Sequence, residues 1–282
     1  MKVAFATCPE MPEGWVDVHV AATLLDADFR VWDDPAVDWS AYDRVVLRSV
    51  WDYSWRVEEF LSWCRGVGPR KLRNSPALVA FNADKRYLTA IEAPSVPTRY
   101  VGLGDPLPSL EGEFVVKPNI SAGARDTGRF ASPAAAVALI EQIRASGRIA
   151  LIQPYLSSVD ERGETSLVFV GGEVSHVLNK RAVLRDEGVA PVAPGKLHVA
   201  AAMLEDDLVA AGTANPSQVS LANSVHAEIS GRFGTPVYAR IDLVDGAAGQ
   251  PLVSELELIE PGLYLGTARG ASERFAAAVR NS

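Results

Sequence analysis

Apolar and polar residues alternate with period 2 through Tyr238–Val244 and again through Leu252–Ile259. That period is the mark of a β-strand with two unlike faces. Gly246-Ala-Ala-Gly249 lies between the runs and has turn chemistry, so the pair predicts an antiparallel hairpin. Residues two apart share a strand face. Arg240 and Asp242 therefore project together from one strand, and Glu255 and Glu257 from the other. Three carboxylates and a guanidinium on one face are costly as plain core, because buried charges need partners. Oxygen-only ligands at close quarters suit Mg²⁺. The same alternation also fits an ordinary solvated sheet face, and the pattern alone leaves both readings open.

The remaining pattern alternates strand and helix at the start of the chain. Lys2–Thr7, Phe29–Trp32 and Tyr42–Val50 read as strands, and Val16–Leu25 and Glu58–Val67 as helices. Such alternation predicts a parallel α/β lobe. Ligands of such lobes sit at the carboxyl ends of strands, which makes Arg48, Ser49, Trp51, Asp52 and Tyr53 a candidate substrate edge. Plain packing of Trp51 and Tyr53 is the competing reading. No GxGxxG follows the first strand and no GxxxxGK[ST] occurs, which argues against a dinucleotide lobe and a P-loop.

Asn74-Ser-Pro76 marks a break, and Asn82–Ala93 reads as helix. Short strands follow at Thr98–Val101, Glu113–Lys117 and Ile149–Gln153, with a glycine-bearing polar loop at Asn119–Gly128 and a helix at Pro133–Ser146. Ser157–Gly163 is a connector. Glu164–Val170 and Glu173–Asn179 flank Gly171-Gly172 as a second hairpin. Arg181–Val199 has no clean period and reads as a long loop of lid type. Asn215, Pro216 and Gln218 form an N-cap, N1 and N3 set that opens a helix to about Phe233. A closing helix covers Ser272–Val279. The expected lobes are 1–75, 76–154 and 155–282.

Charge narrows the partners. The chain has 282 residues, 48% of them hydrophobic, and a formal net charge of −8. An acidic chain without basic runs is a poor match for nucleic acid or an anionic membrane surface. No apolar run reaches spanning length, the N-terminal apolar stretch is too short for a secretory signal, and Cys8 and Cys64 lack CxxC spacing. A cytoplasmic protein with reduced thiols is expected, acting on a small molecule, as a monomer or a homodimer. All six Trp lie in the first 63 residues. With 21 Arg against six Lys, the positions that keep a compact ammonium stand out. Lys85 follows Asp84. Lys117 and Lys180 each end a strand just before a loop, a setting that suits phosphate.

Read in order, DKRYL at 84–88, FVVKP at 114–118, IQPYL at 152–156, GE at 163–164, Lys180, R-x-D at 240–242 and E-x-E ending at Pro261 resemble the ATP-grasp superfamily of carboxylate ligases. LRSVWDY, NADKRYL, SHVLNK and ELELIEP are most similar to its D-cycloserine-forming cyclo-ligases. The resemblance implies an α/β ATP-grasp fold and ATP with Mg²⁺, two ions, Mn²⁺ being an alternative. It implies that Lys85 and Lys117 hold the α- and β-phosphates and that the loop with Ser121 and Gly123 closes over them. Gln153, Tyr155 and Leu156 would receive adenine, Glu164 (or Glu161) the ribose, and Lys180 the terminal phosphates. Asp242, Glu255 and Glu257 would ligate metal, and Arg240 would face the reacting carboxylate. Position 257 is Glu where many relatives have Asn. The implied reaction activates a carboxylate as an acyl phosphate and forms an amide-type bond, by cyclisation of an O-ureido- or aminooxy-serine. Alternatives are an intermolecular dipeptide-type ligase and a silent ATP-binding module. His176 and His198 flank the long loop as further candidates for substrate contact, and His226 reads as structural.

Overall fold

Four strands open the chain in the computed structural model, which describes residues 1–193 and 197–282. They are β1 (Val3–Thr7), β2 (Asp28–Val31), β3 (Arg44–Ser49) and β4 (Leu72–Arg73), paired in parallel in the order β2-β1-β3-β4. Helices α1 (His19–Leu25) and α2 (Val57–Val67) connect them. The buried run Val45-Val46-Leu47 explains β3: a strand covered on both faces carries no polar alternation.

Two antiparallel sheets follow. The smaller contains β5 (Arg99–Val101), β6 (Phe114–Pro118), β7 (Gly128–Phe130), β8 (Ala150–Pro154) and β11 (Gly188–Val189), in the order β11-β7-β6-β8-β5. The central sheet contains β9 (Glu164–Val170), β10 (Glu173–Lys180), β12 (Val209–Ala211), β13 (Tyr238–Asp245) and β14 (Pro251–Glu257), in the order β12-β10-β9-β13-β14.

Three segments differ from the sequence expectation. The helix expected at 82–93 is instead α3 (Pro76–Asn82), followed by a 3-10 turn at Lys85–Thr89. Ser75 caps α3 and Pro76 takes its first turn. It stops because the Asn82 side chain is taken by β14: its Nδ2 donates to the Leu256 carbonyl at 2.7 Å, and its Oδ1 accepts from Leu258 N at 2.8 Å. Asp84 then caps the new turn, accepting from Arg86 N at 2.9 Å. The connector at 157–163 holds a short helix, Ser158–Arg162. The long loop carries β11 and a bridge between Val192 and Ala200, while its residues 194–196 lie outside the described residues. The helix opened by Asn215 matches the expectation, running Pro216–Phe233 with a complete capping box.

Packing ties the sheets together. One face of the parallel sheet buries Phe5 and Val46 against Val168, Val170 and Phe275, the last on the closing helix Ala271–Asn281. The other face of the central sheet buries Phe169 and Ile241 against Ala222 and Val225, and against Leu78, Tyr87 and Leu88. Asn74 stitches the junction. Its side chain donates to the carbonyls of Tyr238 and Leu258 at 2.9 and 2.8 Å and accepts from Val237 N at 2.8 Å. The smaller sheet and Pro133–Ala145 keep their own core around Phe114, Val116 and Ile140. These cores leave one large cleft, walled by residues of the two antiparallel sheets and by Met11, Trp15, Trp51 and Tyr53, which lie outside the strands of the parallel sheet.

Candidate active site

The hairpin registers Arg240 opposite Glu257 and Asp242 opposite Glu255, so the four charged side chains share one face. The Arg240 guanidinium donates to both oxygens of Asp242 at 2.8 Å, to Glu257, and to the Gly262 carbonyl at 2.9 Å. One oxygen from each of Asp242, Glu255 and Glu257 lies within 4.8 Å of the others. Three hard, anionic oxygens so grouped fit Mg²⁺. Lysines face them. Lys85 Nζ is 3.2 Å from Glu255 and donates to the Ser121 carbonyl at 2.9 Å. Lys180 Nζ is 2.5 Å from Glu164 and 3.8 Å from Asp242.

Burial sets the protonation states against these charges. Desolvation disfavours the Glu255 anion, yet Lys85, Lys117 and Lys180 outweigh it and hold the carboxyl well below its usual range. Burial likewise opposes ionisation of Asp242, and Arg240 overcomes it. At Glu257 desolvation wins, helped by Asp242 and Glu255, and pushes the carboxyl up to about 7 despite Arg240. Lys117 is lowered by burial, partly offset by Glu255. Lys180 is raised because Glu164 and Asp242 outweigh its desolvation. Positive and negative groups thus sustain one another in a site where neither set is stable alone.

All of these groups except the fully buried Asp242 line a single cavity of about 780 Å³. Ser121, Gly123, Gln153, Tyr155, Leu156 and Glu164 line it as well. Gln153 donates to Thr98 at 2.9 Å, and Tyr155 to Asp160 at 2.5 Å. Glu161 is largely exposed, pairs with Arg162, and is not among the lining residues, in contrast to Glu164.

The expected substrate edge divides. Trp51 lines the cavity, but Arg48, Ser49 and Asp52 do not. Asp52 turns back to accept from the Trp32 indole at 2.9 Å and to pair with Arg56 at 2.5 Å. Ser49 accepts from Trp15 N at 2.9 Å. Arg48 is 3% exposed, lies over the Tyr238 ring, and donates to the Pro261 carbonyl at 2.5 Å. These three position the wall instead of forming it. His176 bonds the Leu263 carbonyl at 2.7 Å and His198 packs on Trp55, and neither lines the cavity.

Sequence reasoning missed much of that wall. Trp15 packs edge-on against Trp51 and Tyr264, with ring centroids 5.8 and 5.3 Å apart. Three successive carbonyls are gripped by three side chains: Glu260 by the Trp51 indole at 3.3 Å, Pro261 by Arg48, Gly262 by Arg240. A Cβ at Gly262 would meet Tyr264 at 2.9 Å and Trp15 at 3.0 Å, so only glycine fits there. The clustering of Trp in the first 63 residues was the available signal. The phosphate-loop candidate is also joined to the long loop. Gly123 accepts from Ala200 N at 2.8 Å, Thr127 from Ala190 N at 2.8 Å, and β7 pairs with β11. Arg125 ties both to the first lobe, donating to Ser54 at 2.5 Å and lying 4.1 Å over the Trp55 ring.

Comparison with solved structures gives the class. A D-alanine–D-alanine ligase from Bacillus anthracis, solved with ATP, aligns over 99% of this chain and 95% of its own with a TM-score of 0.64 and 13% identity. A RimK-domain ATP-grasp protein from Sphaerobacter thermophilus aligns over 99% of this chain and its whole length, with a TM-score of 0.60 and 15% identity. The fold is therefore ATP-grasp, and ligases of this fold use ATP and Mg²⁺. The cycloserine biosynthesis protein DcsG of Streptomyces lavendulae is 34% identical over 287 residues, covering 96% of this chain and 92% of that protein. The crystal structure of D-cycloserine synthetase DcsG matches with a TM-score of 0.83 and 31% identity over 100% of this chain and 99% of that one. A family model for the N-terminal domain of D-cycloserine synthetase DcsG matches residues 3–74. The chain belongs to the D-cycloserine synthetase family of ATP-grasp carbon–nitrogen ligases. Among the described residues no helix is long and apolar enough to cross a membrane.

Proposed function

We propose that this ligase activates the carboxylate of an amino-acid derivative as an acyl phosphate and closes it onto the derivative's own nitrogen. O-ureido- or aminooxy-serine is the substrate type. The carrying observation is that Arg240, Glu255, Glu257, Lys85, Lys117 and Lys180 line one cavity whose other wall is aromatic. A carboxylate is a poor electrophile, and phosphoryl transfer to it needs positioning and charge neutralisation more than covalent help.

In this reading Asp242, Glu255 and Glu257 hold two Mg²⁺ ions, or Mn²⁺, which neutralise charge on the transferring group. Lys85 and Lys117 hold the inner phosphates beneath the loop with Ser121 and Gly123, and Lys180 reaches the terminal one. Gln153, Tyr155 and Leu156 take the adenine and Glu164 the ribose. The γ-phosphoryl group passes from ATP to a carboxylate oxygen, leaving ADP; the nitrogen then attacks the acyl carbon, phosphate leaves with that oxygen, and the nitrogen's proton goes to water. Arg240 faces the charge that builds on the carbonyl.

The test uses O-ureido-D-serine labelled with ¹⁸O in its carboxylate. One label should appear in released phosphate, and mass spectrometry should show a cyclic product. Label in phosphate with a dipeptide product would reassign the nucleophile. Unlabelled phosphate at full turnover would overturn the acyl-phosphate path.

A further inference from the structure

We propose that Glu260 is the receptor for the substrate's α-ammonium group and so restricts this enzyme to amino acids over their hydroxy or deaminated counterparts. The inference rests on the reading of the cavity as a carboxylate-activating site and adds the chemistry of its acceptor end.

Glu260 lines the cavity, and its carbonyl accepts from the indole of Trp51, which packs edge-on against Trp15, itself packed on Tyr264. Among the described residues its carboxylate forms no ion pair and no hydrogen bond with another residue's side chain, in contrast to Glu255 and Glu257 nearby. Burial and the Glu257 carboxylate push its carboxyl up to about 8, against the pull of Lys85 and Arg48. Both are committed elsewhere. Lys85 is held by Glu255 and the Ser121 carbonyl. Arg48 is held by the Pro261 carbonyl and lies over the Tyr238 ring. A half-buried carboxylate without a partner is expensive to keep, and a ligand cation removes that expense.

The surroundings suit an ammonium. Trp15, Trp51, Tyr53 and Tyr264 line the same cavity, and aromatic rings attract a cation that settles on their faces. The backbone of Glu260 is fixed by the Trp51 indole, and the next two carbonyls by Arg48 and Arg240. Since Arg240 holds Gly262 two residues on, one short segment links the amine receptor to the group that faces the reacting carboxylate. An α-amino acid carries its ammonium one carbon away from its carboxylate, so an amine receptor belongs near the group that faces that carboxylate.

The experiment titrates wild-type and Glu260→Gln protein with O-ureido-D-serine and with O-ureido-D-glycerate, whose hydroxyl replaces the amine. Binding is read by tryptophan fluorescence, since Trp15 and Trp51 line this end. Wild type should bind the amine compound at least tenfold more tightly than the hydroxy compound. Glu260→Gln should lose at least tenfold for the amine compound alone and bind the two equally. Glu260→Asp should retain part of the preference, and ATP affinity should match wild type in both variants, which certifies their fold. A Glu260→Gln protein that keeps the amine preference overturns the inference, as does wild type that shows none. Amine-dependent binding without ¹⁸O transfer would remove the proposed chemistry and leave this site standing. ¹⁸O transfer with amine-independent binding would do the reverse.

Discussion

Replacing Arg240 by Ala should damage the fold and the chemistry by separable amounts. Asp242 is 0% exposed, and both of its oxygens accept from Arg240 at 2.8 Å. The next cation, Lys180, stands 3.8 Å away and is already bound to Glu164. Without the guanidinium, Asp242 becomes a buried charge with a weak partner, and the Gly262 carbonyl loses its donor. Removing one member of a buried pair costs about 3–5 kcal/mol. Removing an oxyanion donor costs roughly 10²–10³ in kcat. Urea unfolding, followed by tryptophan fluorescence and circular dichroism in chelator so that no divalent cation shields Asp242, reads the first loss. ADP release at saturating substrate reads the second. Adding Asp242→Asn relieves the stranded charge, so the double variant should be more stable than Arg240→Ala while turning over no faster. An Arg240→Ala protein with a wild-type unfolding midpoint, or a double variant less stable than the single one, would refute the argument.

Glu255→Ala should abolish Mg²⁺-dependent turnover with the circular dichroism spectrum retained, and near-normal activity would put the metal elsewhere. Arg48→Ala should lower stability by about 1.5–3 kcal/mol, the worth of a hydrogen bond from a charged donor, with ATP affinity unchanged. Denaturant titration and nucleotide binding check the two halves. His176 and His226 are buried and held below the usual imidazole value of 6.5, in both cases chiefly by desolvation. The unfolded chain then takes up protons below pH 6.5 that the folded chain resists, so stability is full above that pH and falls as pH drops through it. His226→Leu should flatten the stability curve between about pH 6.5 and 5, and an unchanged slope would show that His226 titrates alike in both states.

The charged hairpin face was legible because a period of 2 fixes which side chains share a face, and the observed register pairs Arg240 with Glu257 and Asp242 with Glu255. The capping box at Asn215 was legible because its three residues act on one another within a single turn. The helix at 82–93 was misread because Asn82 answers to β14, about 174 residues on. Ser75-Pro76 carries both break and helix-start chemistry, and the structure uses it as the N-cap and first turn of α3. At 48–53 the rule for strand ends points to an edge that meets the cavity at Trp51 and Tyr53. It gave no direction for each side chain, and a 3-10 turn at Trp51–Trp55 sends Trp51 to the cavity and Asp52 back to Trp32. Glu260 had no local signal, since its environment is assembled from Trp15, Trp51 and Tyr264 at distant points in the chain.

The grip on the Glu260, Pro261 and Gly262 carbonyls has a thermodynamic consequence for ligand binding. Fixing the backbone of one residue costs roughly 1–2 kcal/mol, so ordering three costs roughly 3–6 kcal/mol. Trp51, Arg48 and Arg240 impose that order when the chain folds. A ligand reaching this end finds the segment already ordered and loses none of its binding energy to ordering it. Calorimetry should therefore show a smaller unfavourable entropy for a ligand bound at this end of the wild-type protein than for the same ligand bound to Arg48→Ala, which loosens the segment.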